Sequence, residues 1–359
     1  MTGDGPGIVD WALGRRIAGA VARGEDGASG GLSAAEVRDA AERGLDRVLA
    51  YTKLEPAGPV PTAELVTRGE WIESNLGELR ALAAPLEHRA AAEISLPRPF
   101  GRIVRRGLGA AGGVEAGVAL GYASRRVLGQ YQVGLTAEPG APRTLILGSN
   151  LASTARELRV DRHRFLFWVA IHEQTHALQF AGVPWLRDHV AGLVTDLVET
   201  ASGRVDVAAL ASLARRLVSR DPRRALREAM RGELARALAG PEQEAMLDRL
   251  QATMAVIEGY AEHVMDAAAA ADDDLAAMRG RMDARRARRN GLGDMIARAL
   301  GMGMKLRQYE LGKAWSDAVA AEAGVGVLNR VWDAPSSLPS EVELESPERW
   351  LARIGATLA

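Results

Sequence analysis

The stretch that most constrains this chain is FLFWVAIHEQTHALQFAG, residues 165–182. It is an apolar run of helical length with two histidines and a glutamate at its centre. Ionisable groups buried among Phe, Trp, Val and Ile are costly unless something compensates them. On a helix, His172 and His176 lie one turn apart on one face, so both imidazoles point to the same place. Two nitrogens at that spacing bind one zinc ion at about 2.0–2.1 Å each. Glu173 stands roughly 100° further around the helix from His172, where it reaches a water on the metal without ligating the metal. This is the His-Glu-x-x-His arrangement of zinc hydrolases, with Glu173 as general base.

A catalytic zinc site also needs a third protein ligand and an open position. The chain has no cysteine, which removes thiolate ligands, disulfides and a cysteine nucleophile together. The third ligand is expected in MAVIEGYAEHVMDA, residues 254–267. There Met254, Ile257, Ala261 and Met265 form an apolar helix face, and Glu258 falls within the same stripe. Glu262, one turn on, is positioned to brace a zinc-bound histidine from outside the coordination sphere. His263 and His189 are the alternative third ligands. Stabilising an oxyanion needs one more donor, and Tyr309 in KLRQYELGKAW is the candidate, with Lys305 and His263 behind it.

The surroundings of this stretch read as mostly helical. Residues 11–23 form a helix. Ser33, followed three residues later by Glu36, signals the capped start of another. Helical patterning continues over about 62–93. QYQVGL and RTLILGS, separated by the turn-rich TAEPGAP, read as a strand pair. Asp161 caps the long helix, which Gly182 and Pro184 end. Residues 190–240 are helical, Pro241 opens the helix carrying Glu258, and a short helix starts at Ser346–Pro347. The expected fold class is mainly α (α+β), with a small sheet beside the metal helix. Two parts are expected within one compact unit: an N-terminal helical region, 1–125, packed on a metallohydrolase domain, 126–359.

Composition limits the partners. The net charge is −1 and the cations are nearly all arginine, with lysine only at Lys53, Lys305 and Lys313. That balance points to no nucleic-acid partner, and the arginine-rich RGRMDARRARRNG reads as a solvated helix face. No run of about 18 apolar residues suggests a membrane span; the nearest, from Leu108, is interrupted by Glu115. The N-terminus lacks the pattern of a secretory signal, so a cytoplasmic protein is expected.

Four blocks, VLGQYQ, WVAIHEQTHALQFAGVPWLRDHV, EGYAEHVMDA and KLRQYELGKAWSDAV running on to LNRVWDAPSSLPS, resemble the zincin-like metallopeptidase family found mainly in actinobacteria and described as candidate hydrolases. One branch of that family is associated with coenzyme F420 biosynthesis. The resemblance implies a zincin fold of the gluzincin type, one Zn²⁺ per chain held by His172, His176 and Glu258, and Glu262 bracing a histidine. It implies a peptide or protein substrate, the alternatives being a small-molecule amide or a zinc-keeping accessory role without catalysis. The chain departs from the family at Gln132, where an acidic residue usually follows GQY, and Gln174 fills a variable position inside the motif.

Overall fold

A computed structural model describes residues 9–23, 29–93, 100–134, 142–202, 241–270, 272–288 and 305–355. Ten helices carry the argument: α1 (Trp11–Ala22), α2 (Ala34–Thr52), α3 (Arg68–Glu93), α4 (Phe100–Ser124), α5 (Gly148–Leu158), α6 (Arg162–Gly182), α7 (Leu186–Ser202), α8 (Pro241–Ala269), α9 (Asp273–Arg288) and α10 (Lys305–Ala323). The strands are β1 (Ala63–Val66), β2 (Gly129–Gln132) and β3 (Arg143–Leu147). A short helix at Pro347–Arg353 follows.

Local signals fix the ends of several helices. Ser33 and Glu36 bond reciprocally at the start of α2, which satisfies amides the first helical turn leaves open. The Asp161 carboxylate accepts the Arg164 N–H to start α6, which ends at Gly182 as expected. Pro241 begins α8.

The sheet is where the observed fold departs from expectation. Its order is β1-β3-β2. β2 and β3 pair antiparallel, with Gly129 opposite Ile146 and Tyr131 opposite Thr144; most of the connecting TAEPGAP lies outside the described residues. β1 was expected to be helical. It instead pairs parallel to β3, with Ala63 opposite Thr144. AELV has little intrinsic strand preference, so its state comes from tertiary pairing rather than local propensity. The helical reading of 190–240 holds through Ser202, beyond which it lies outside the described residues up to Pro241.

A single apolar cluster joins α2, β3, α5, α6, α8, α9, α10 and the C-terminal turns, from Leu32 to Leu351. It includes Val37 and Ile171 alike, so it runs across the expected boundary at residue 125. Its largest fully buried members include Trp315, which meets Trp350 edge-on with ring centroids 5.0 Å apart. At the crossing of α8 and α10, Gly259 and Gly312 bring the two backbones into contact, and a Cβ on either would strike the other helix. That close approach fixes how α8 presents its other face to α6.

Candidate metal centre

Helix α6 is buried along most of its length, including Phe165, Trp168, Val169 and Ile171. It packs against α2 on one side and α8 on another. The α8 contact brings Glu258 over the two histidines. Nε2 of His176 lies 3.2 Å from Nε2 of His172. The Glu258 Oε2 lies 3.7 Å from His172 Nε2 and 3.5 Å from His176 Nε2.

These separations test whether the residues fit an ion. Tetrahedral ligands about 2.0–2.1 Å from a zinc ion stand about 3.3–3.4 Å from one another. The three donor atoms already lie close to that spacing, and they form a group that could hold a metal ion. Two nitrogens and a carboxylate oxygen suit zinc among other divalent ions. The charge environment agrees. Burial opposes charge on His176, but the Glu258 and Glu173 carboxylates outweigh it and push the imidazole up to about 9. The pocket is therefore one that draws positive charge.

Glu173 sits beside this group without joining it. It is buried, and burial above all, with the Glu258 charge adding to it, raises its carboxyl to about 7. The sheet explains its placement. The Leu147 N–H donates to the Leu128 carbonyl, so the even-numbered positions of β2 bond to β3. By antiparallel alternation Gly129 and Tyr131 turn their amides away from β3. The outward N–H of Tyr131 faces the Glu173 carboxylate and favours its charged form. A Cβ on Gly129 would come within 2.6 Å of Glu173 Oε1, so this strand position accommodates the carboxylate by lacking a side chain. Tyr131 also stacks on Phe180, one turn beyond His176, at 5.5 Å between centroids.

The other expected residues are placed as follows. Glu262 accepts from Arg279 Nη1 at 3.3 Å, and the outer nitrogen of His176 meets Gln179 at 2.9 Å. Gln179 is a contact that the sequence reading missed; a lone glutamine one turn after His176 gave no signal of it. His263 is not brought to the metal group. Its Nε2 meets the Tyr51 hydroxyl and its Nδ1 meets Asp317, each at 2.7 Å. His189 packs edge-on against Trp185. Tyr309 belongs to α10, but its side chain and that of Lys305 lie outside the described residues. Gln132, the departure after GQY, is buried and accepts from Ser74 Oγ at 2.8 Å. Arginines of the expected solvated face are used internally: Arg279 bonds Asp266 and Arg285 bonds Glu157. Among the described residues, no helix is long and apolar enough to cross a membrane.

A crystal structure of a candidate hydrolase with a novel fold from Chloroflexus aurantiacus is similar to this chain, with 25% sequence identity and a TM-score of 0.67 over 97% of this chain and 99% of that one. Comparison with curated proteins gave no match. The family model described as zincin-like metallopeptidase matches residues 9–351, which takes in every donor of the centre, the strand that holds Glu173 and the helices on both sides; the chain belongs to the zincin-like metallopeptidase family.

Proposed function

We propose that this protein is a zinc-dependent, metallopeptidase-like hydrolase that cleaves a peptide bond. The observation that carries the reading is the convergence of His172, His176 and Glu258 with the buried carboxylate of Glu173 at their side. A structural zinc site would be closed by four protein ligands; among the described residues three donors converge, and the neighbour beside them is a proton acceptor.

In this reading His172, His176 and Glu258 hold the ion, which when bound supplies Lewis-acid polarisation and a more acidic water. The chain's own residues do the proton work. Glu173 takes a proton from the attacking water as its oxygen bonds to the carbonyl carbon. As the C–N bond breaks, Glu173 returns that proton to the leaving amine. A carboxyl raised to about 7 by burial suits both halves of this exchange near neutral pH. Tyr131 N–H keeps the carboxylate aimed, and the edge position of β2 suits an extended peptide lying alongside it. A separate hollow of about 710 Å³, lined by residues including Glu64, Glu73 and Arg143, lies along β1 at the opposite edge of the sheet and contains none of these groups.

The test is cleavage of a mixture of unstructured peptides by zinc-loaded protein, read by mass spectrometry. Wild type should cleave, and Glu173→Gln should lose about 10²–10⁴-fold in rate, the range for a positioned general base, with zinc content unchanged. Full zinc with no cleavage of any peptide, but turnover of small amides, would replace the peptidase reading with the amidase one.

A further inference from the structure

Gln179 is fully buried, and its amide is bonded at both ends. Its Oε1 faces His176 Nδ1 at 2.9 Å, and its Nε2 donates to the Ile257 carbonyl at 3.0 Å. The second bond determines the first. A carbonyl only accepts, so the amide nitrogen must face Ile257 and the amide oxygen must face the imidazole. A ring nitrogen facing an amide oxygen carries the hydrogen. In the neutral form that ligates a metal, His176 therefore keeps its proton on Nδ1 and presents the Nε2 lone pair to His172 and Glu258. Ile257 precedes Glu258 directly in the chain. One amide thus ties the ring of a ligand on α6 to the backbone beside the ligand on α8.

We propose that Gln179 is the positioning residue of the metal centre: it selects the ligating tautomer of His176 and holds α6 and α8 at the spacing that brings Glu258 to the two histidines. The inference rests on the metal-centre reading above. It also says why the position holds an amide. A carboxylate would still accept from His176 but would face the Ile257 carbonyl with no hydrogen to give. An apolar side chain of the same length would lose both bonds.

The experiment uses the full chain, stripped of metal and titrated with Zn²⁺ against a chromogenic chelator, then with Co²⁺ to record its visible absorption. Gln179→Met should weaken zinc binding about 10–100-fold, the usual cost of losing a partner that orients a metal ligand, and should change the Co²⁺ spectrum. Gln179→Glu should bind zinc more tightly than Gln179→Met, yet unfold at a lower temperature than wild type in the metal-free state. Wild-type zinc affinity and an unaltered Co²⁺ spectrum in Gln179→Met would overturn the proposal and leave Gln179 as a core hydrogen-bonding residue. So would a Gln179→Glu protein that binds no better than Gln179→Met. Should Gln179→Met not fold, Gln179→Glu carries the test: zinc still bound but with an altered Co²⁺ spectrum supports the proposal, and wild-type affinity with an unaltered spectrum, or complete loss of metal, overturns it. A wild type that binds neither ion would instead defeat the metal centre itself.

Discussion

Helix α8 contributes to two chemically rich groups, and they solve the same problem differently. In one, Glu258 meets His172 and His176, whose Nε2 atoms point at the same spot as its carboxylate. In the other, titratable side chains are matched into a chain of protein partners. Tyr51 meets His263, His263 meets Asp317, Lys313 bridges Asp317 and Asp266, and Arg279 joins Asp266 to Glu262. In that chain donors alternate with acceptors and cations with anions, so it satisfies itself. At the metal group three electron-pair donors converge, an arrangement that a cation completes. Nearness of histidines and carboxylates does not separate the two groups; what separates them is whether the polar atoms pair off along a chain or three of them converge on one point.

The difference can be sharpened by substitution. The largest expected effect is at Gly129, whose nearest neighbours are the side-chain atoms of Glu173. Gly129→Ala should displace that carboxylate, by the clash at 2.6 Å, and cost on the order of 10²-fold in peptide cleavage, as misplacement by about 1 Å does. Zinc content should stay at the wild-type level. Equal loss of zinc would mean that β2 supports the ligands as well as the base.

In the matched chain the prediction reverses. Asp317→Ala should leave zinc binding intact and lower stability, because it strips partners from His263 and Lys313. Asp317 is 45% exposed, so screening reduces the cost to about 0.5–1 kcal/mol, measurable by urea unfolding. The acid side carries the sign. Burial opposes charge on Asp317, but His263 and Lys313 hold its carboxyl below the usual range. Its stabilisation is therefore present above the unfolded pKa and is lost as pH falls through the folded one. A flat difference between variant and wild type across that acid range would remove Asp317 from the account.

A third carboxylate bounds the comparison. Glu115 in α4 is raised from 4.5 to about 7 by burial. A raised acid binds more protons when folded, so stability falls as pH rises through that window. Glu115→Gln should stabilise the protein by about 1–2 kcal/mol at pH 8, within what a shift of this size allows, and by much less at pH 5. The same gain at both pH values would point to packing rather than charge.

The parts of this molecule that were legible in the sequence are the ones set by short-range spacing. His172 and His176 share a face because they are four apart on a helix, and Glu258 stood out as a carboxylate within an apolar stripe. The caps at Ser33 and Asp161 were readable for the same reason. β1 was not, because AELV becomes a strand only by pairing with β3, some eighty residues away in the chain. His263 looked like a possible ligand because the residues that occupy its ring, Tyr51 and Asp317, come from other helices. Gln179 was hidden because a lone glutamine in an apolar helix carries no sign of what its amide will meet.

The most direct test of the central claim is zinc content of the purified protein, wild type beside Glu258→Gln, measured by mass spectrometry of the metal. About one zinc per chain in wild type, falling sharply in the variant, is the result this arrangement of His172, His176 and Glu258 requires. Full zinc in Glu258→Gln, or none in wild type, would contradict it.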